Sequence, residues 1–198
     1  MFVELIEFLE CVEAHEHSFL VVTPDRRVGR SIMAGEMGCP KCRRQYAIID
    51  GVADFRPANA ADRHRPPSQE TPPRPDVLHA LIGLTGPGGF VVLIGSAARH
   101  ALDLSALIDG VHFVGVNATA DVTSSASLSL VRGADRIPLR SSMARAVVVG
   151  AEYADDVWLA EAVRVLLRGL RLVVLAEVPD PKGVRRLAVD EGVWARWR

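Results

Sequence analysis

Charge of one sign, cysteine and long apolar runs are all scarce in this chain. Its 23 lysines and arginines nearly balance 24 acidic residues, for a formal charge of −1. That balance gives no electrostatic footing for nucleic acid or a membrane surface. It also holds locally, with 6 basic and 9 acidic residues over 1–55 and 13 and 12 over 77–198. No run approaches the ~18 apolar residues that read as a membrane span. The opening MFVELIEFLE has neither the basic leader nor the apolar stretch of a secretory signal. Three cysteines, two of them at positions 39 and 42, are too few for a disulfide framework. They point to metal, and a reducing cytoplasm is the natural setting for such thiolates.

Apolar residues, by contrast, make up 49% of the 198, enough to bury a core without cross-links. Residues 56–76 break the pattern, holding six of the twelve prolines and no large aliphatic side chain. Such a stretch reads as an extended spacer, dividing the chain into 1–55 and 77–198. An ordered loop wrapped over one domain is the alternative. Before the spacer, near-helical spacing of Phe2 to Leu9 predicts a short helix leading into Cys11. Phe19–Val22 reads as a strand ended by Thr23-Pro24-Asp25, and Tyr46–Ile49 as another closed by the Asp50-Gly51 turn. After the spacer, apolar runs at 90–95, 111–116, 146–149 and 170–175 alternate with helical stretches at 99–109 and 157–167. Trp194 and Trp197 are strand-like. Continuous apolar strands alternating with helices indicate a parallel sheet covered on both faces. The expected class is therefore α/β: a small metal ribbon, then a short doubly wound, mostly parallel Rossmann-like sheet.

The chemistry-bearing pattern lies in the first part. Cys39-Pro40-Lys41-Cys42 sits on Gly38, a spacing at which two thiolates converge on one ion. Tetrahedral zinc needs two more ligands. Cys11 supplies the third. The fourth is His15 or His17, and the three-residue spacer to His15 better suits a compact knuckle. A redox role for the pair lacks the βαβ context such motifs occupy. Four protein ligands leave no open position, which makes the predicted zinc structural. Asp155-Asp156 reads as helix capping, and the remaining histidines, scattered at 64, 79, 100 and 112, read mostly as solvated.

Cys11, then Gly38-Cys39-Pro40-Lys41-Cys42-Arg43 and Tyr46-Ala47-Ile48-Ile49-Asp50-Gly51-Val52-Ala53 resemble the small zinc-ribbon proteins that activate tRNA and protein methyltransferases. The likeness covers about residues 5–56 and lacks the second cysteine of the first knuckle. Residues 77–198 resemble a class I S-adenosylmethionine-dependent methyltransferase, read by position. There the family has an acidic residue and Gly-x-Gly-x-Gly after the first strand. This chain has Leu93, Gly95, Ala97 and Arg99, and Asn117 stands where the ribose-binding acid is expected. Arg136–Val147 carries basic or polar residues at both expected acidic positions, while Glu161-x-x-Arg164-Val165-Leu166 keeps its outline. The resemblance implies a crevice built from Gly95, Ser96 and Asn117 that has lost its cofactor contacts, so S-adenosylmethionine binding is doubtful and no catalytic residue is assigned. It leads to a non-catalytic accessory or scaffold that pairs with a protein partner, an active enzyme or larger complex. A working methyltransferase with an atypical site and a small-ligand sensor using the crevice are the alternatives.

Overall fold

The computed structural model describes residues 1–57, 65–66, 73–190 and 193–197. Most of the spacer expected over 56–76, and His64 with it, lies outside the described residues. The fold is mixed α/β, and among the described residues it is built on one sheet of eleven strands in the order β1-β2-β3-β4-β7-β6-β5-β8-β9-β11-β10. The strands are β1 (Val21–Val28), β2 (Ser31–Gly38), β3 (Gln45–Ile49), β4 (Val52–Asp54), β5 (Phe90–Ile94), β6 (His112–Val116), β7 (Leu128–Arg132), β8 (Ala144–Val149), β9 (Leu166–Val174), β10 (Arg185–Asp190) and β11 (Val193–Trp197). Six central strands, from β4 through β9 in space, run parallel. β1–β4 form an antiparallel meander on one flank. On the other flank the β10–β11 hairpin adds to β9 antiparallel.

Taken alone, β5 to β9 have the spatial order 3-2-1-4-5, that of the doubly wound folds, with a crevice at the carboxyl ends where the order reverses. β5 and β6 are buried along their whole length, as strands covered on both faces must be. One face packs Val91, Leu93, Phe113 and Val148 against α1 (Pro75–Ile82) and α2 (Ala101–Leu107). α1 begins on Pro75 and ends on Gly83, whose φ of 62° closes the helix. The other face packs Val92, Ile94, Val114 and Val147 under α3 (Asp156–Val165).

That second face also receives the N-terminal segment. Leu5, Leu9, Met37, Tyr46, Ile48 and Phe55 belong to the same core as Phe90, Ile137 and Leu139. The join is backbone as well as side chain. Val52–Asp54 pairs in parallel with Leu130–Arg132, Leu9 bridges Leu139, and the Arg140 amide donates to Phe8 O at 2.8 Å.

Several local expectations change. The Phe2–Leu9 helix is a 3-10 turn over Val3–Phe8. The first strand does not stop at Thr23-Pro24-Asp25 but runs to Val28, with register shifts around Arg26. Proline is tolerated there because β1 is an edge strand, where a missing amide breaks no ladder. The helix expected at 99–109 begins as a 3-10 turn over Gly95–His100, and of its apolar face Leu107 is exposed. His100 and His112 are buried, not solvated. His112 stacks on Phe2 and shares a hydrogen bond with Ser129, and burial pulls its pKa down to about 4. The helix expected to Leu167 ends at Val165. The register against β8 then jumps from Leu166 to Arg171 over Gly169, whose φ is 76°. Asp155 caps α3 as expected, accepting from the Val157 and Trp158 amides. Trp194 and Trp197 lie on β11.

Candidate functional site

Two clusters matter, one at the β2–β3 connection and one at the carboxyl ends of the parallel strands. The first is built at the β2–β3 connection. Cys39 follows β2 directly, and two backbone bonds close the knuckle, Arg43 N to Cys39 O and Cys39 N to Arg44 O, each 2.9 Å. Arg43 turns the chain at a φ of 61°. Cys11 comes from the segment after the 3-10 turn, bound to the strand side through Cys11 N to Ser18 O.

Cys11, His15, Cys39 and Cys42 bring their ligand atoms within 4.8 Å of one another. Cys11 Sγ lies 3.6 Å from Cys42 Sγ, and His15 Nε2 lies 3.2 Å from Cys11 Sγ and 3.4 Å from Cys39 Sγ. Around one tetrahedral zinc, Zn–S and Zn–N bond lengths set sulfur–sulfur edges of ~3.7 Å and sulfur–nitrogen edges of ~3.5 Å. These three separations match such edges, and the four atoms could hold one zinc ion. Three sulfurs and one imidazole are also the donor set that suits it.

The His15 ring turns its Nε2 toward the sulfurs. Its Nδ1 lies 2.6 Å from Glu16 O, so Nδ1 donates to the carbonyl and leaves Nε2 with a free lone pair facing the sulfurs. His17 turns elsewhere, with its Nδ1 3.1 Å from the buried Glu10 carboxylate. Cys11 and Cys39 are buried and Cys42 is exposed. Burial pushes the Cys11 thiol up to about 11. Burial acts the same way on Cys39, but the Cys42 and Lys41 amides outweigh it and bring that thiol down to about 6.

The second cluster is the crevice. Gly95, at a φ of 66°, ends β5, and Asn117, at 50°, ends β6. Between β8 and α3 the chain makes a 3-10 turn, Ala151–Tyr153, directly over Gly95. The Glu152 carboxylate accepts from Ser96 N at 2.5 Å and from Ser96 Oγ at 2.8 Å. A Cβ added to Gly95 would collide with that carboxylate and with the Tyr153 ring. Arg65 reaches across, donating to Glu152 O at 2.9 Å with its guanidinium 4.8 Å from the Tyr153 ring centroid.

Gly95 and Ser96 follow β5 at the crevice, and what approaches them is the chain's own Glu152 and Tyr153. Asn117 stands apart, its amide accepting from Gly133 N at 2.9 Å and donating to Gly133 O at 3.0 Å. Arg99, at the expected third glycine position, forms a two-point pair with Asp121 at 2.8 and 3.0 Å and holds that carboxyl near pKa 2. Leu93 is fully buried in the helix-covered core, so an acid there would be an unpaired buried charge. A cleft of about 740 Å³ opens at the opposite ends of the strands, lined by Phe2, Arg30, Phe90, Leu102, Ile108 and His112. It is not part of this crevice.

Sequence reasoning missed Glu152 and Tyr153. The available signal was an acid and an aromatic directly after the apolar run of β8, at the sheet end where ligands bind in such folds.

No protein-family model and no curated protein sequence matches the chain. Among solved structures, a SAM-dependent methyltransferase from Aquifex aeolicus aligns over 63% of this chain and 89% of its own length. Its identity is 16% and its TM-score 0.47. A complex between the Haloferax volcanii Trm112 methyltransferase activator and a protein assigned as a methyltransferase aligns over 50% of this chain at 24% identity and a TM-score of 0.41. The chain spans half the length of the Haloferax chain it matches.

No helix among the described residues is long and apolar enough to cross a membrane.

Proposed function

We propose that this chain is a non-catalytic accessory protein, a structural zinc ribbon fused to a methyltransferase-like sheet whose cofactor crevice is filled from within. The observation that carries this reading is the Glu152–Tyr153 turn seated on Gly95 and Ser96. A cofactor approaching Gly95 would have to displace a carboxylate held by two hydrogen bonds, and charge-assisted bonds of this kind are about twice as strong as neutral ones. Asn117 brings no charge to the second strand end, and both halves of its amide are already engaged with Gly133. The ribbon's inner apolar face is covered by the chain's own α/β half. A partner enzyme or complex would therefore dock on some other surface.

Titration calorimetry with S-adenosylmethionine tests the reading, and no binding is expected in the micromolar range. Loss of about 1–3 kcal/mol at each of several polar contacts moves a micromolar site beyond millimolar. Binding at micromolar concentrations would instead support a working methyltransferase with an atypical site.

For the ribbon, the proposal is one zinc per chain held by Cys11, His15, Cys39 and Cys42. Elemental analysis should find it in natively purified protein. Replacing His15 by alanine should strip the metal, whereas His17→Ala should retain it. The reverse outcome would reassign the fourth ligand to His17.

A further inference from the structure

We infer that Tyr46 is a positioning residue of the metal centre, its hydroxyl donating to the Cys11 thiolate and holding that ligand against loss. This rests on the zinc reading above. Tyr46 lies on the inner face of β3 and is 2% exposed, with its ring 4.6 Å from that of Phe55. Its hydroxyl reaches Cys11 Sγ at 3.0 Å, across 35 residues of chain. A thiolate bound to a metal carries no proton, so in the loaded site the phenol is the donor and the sulfur the acceptor.

The arrangement answers an asymmetry between the two knuckles. Cys39 is supported by the amides of Lys41 and Cys42, which the Cys-Pro-Lys-Cys turn aims at its sulfur. Cys11 has no second cysteine in its own segment, and the Glu13 amide turns toward its sulfur. The Tyr46 hydroxyl supplies a further donor from a different strand. Because β3 is held between β2 and β4, the Tyr46 hydroxyl also fixes where Cys11 stands. Hydrogen-bond partners of metal ligands typically govern 10- to 100-fold in metal affinity.

The test compares full-length wild type and Tyr46→Phe, which keeps the ring and removes the donor. Zinc content is measured first. Transfer of zinc to a chromogenic chelator then gives the release rate, and cobalt(II) substitution gives the thiolate-to-metal charge-transfer band. The expected result is one zinc in both proteins, release faster by about tenfold in the variant, and a displaced charge-transfer band over an unchanged tetrahedral d–d pattern. Phe55→Leu loosens the same ring without touching the hydroxyl, so it should leave the cobalt band in place. Equal release rates and superimposable cobalt spectra, with zinc present in both, would overturn the role of Tyr46 alone. So would a Phe55→Leu variant that reproduced the whole effect. A wild-type protein without zinc would overturn the zinc reading, and this inference with it.

Discussion

Removing zinc, by chelation or by Cys39→Ser, is expected to lower the thermal midpoint of the whole chain by about 10–20 °C rather than melt the ribbon alone. In small zinc modules the binding free energy is folding free energy, of the order of 10–16 kcal/mol in isolated peptides at neutral pH. The ribbon here has additional support from packing, so a loss of about 5 kcal/mol is a conservative figure. For a chain of this length about 1 kcal/mol corresponds to roughly 2–4 °C. The loss should spread because the core does not stop at the ribbon. Cys11, Cys39, Tyr46 and Phe55 share one buried cluster with Phe90, Val92, Ile137 and Leu139. If β4 loosens, β7 loses one of its two parallel neighbours and presents an open edge. The three tryptophans stand at 158, 194 and 197, all in the α/β half, so their fluorescence watches that half while zinc release watches the ribbon. The two signals should change together. A tryptophan transition unmoved by chelation would mean that the halves are energetically separate.

How much of this was readable beforehand follows from how local each signal is. β5, β6 and β8 are runs of consecutive apolar residues, and burial on both faces leaves that mark on any such strand. The Cys/His cluster was readable because two of its members share one tight turn, and the Cys11–His15 spacing fits a second. β2, by contrast, carries Gly35 and Glu36 in an irregular burial pattern and gives no period to read. The connection from β6 to β7 holds no helix among the described residues, and β7 itself was not read as a strand. The polar stretch 117–127 forms turns instead. The pairing of β4 with β7, which joins ribbon to sheet, involves three residues on each strand separated by 78 positions of chain. No spacing rule reaches that far. The same holds for Ser96 and Glu152. The crevice was expected to fail through what it lacks at 93, 97, 99 and 117, whereas what fills it comes from a turn 56 residues away from Ser96.

Gly95→Ala is expected to destabilise the chain by about 2–5 kcal/mol, although alanine is small and the site would bind no ligand. Two costs add. A non-glycine residue in the left-handed region costs about 1–2 kcal/mol, and Gly95 sits at a φ of 66°. Forcing a methyl group into a filled space costs about 1–3 kcal/mol more, and the new Cβ would meet the Glu152 carboxylate and the Tyr153 ring. Glu152→Ala alone should cost about 1–3 kcal/mol, because the Ser96 amide and hydroxyl lose their acceptor. The double variant should cost less than the sum, since removing the carboxylate removes part of the collision. A coupling of about 1 kcal/mol is within what contacting residues show. Urea unfolding of the four proteins, with slopes compared to exclude a change in the denatured state, measures all of this. Were the crevice open for a cofactor, Gly95 would face solvent, the two substitutions would add, and Gly95→Ala would cost only its backbone strain. An additive cycle would therefore return the site to a ligand, while a strongly coupled one keeps Gly95 as the floor on which the chain's own Glu152 and Tyr153 rest.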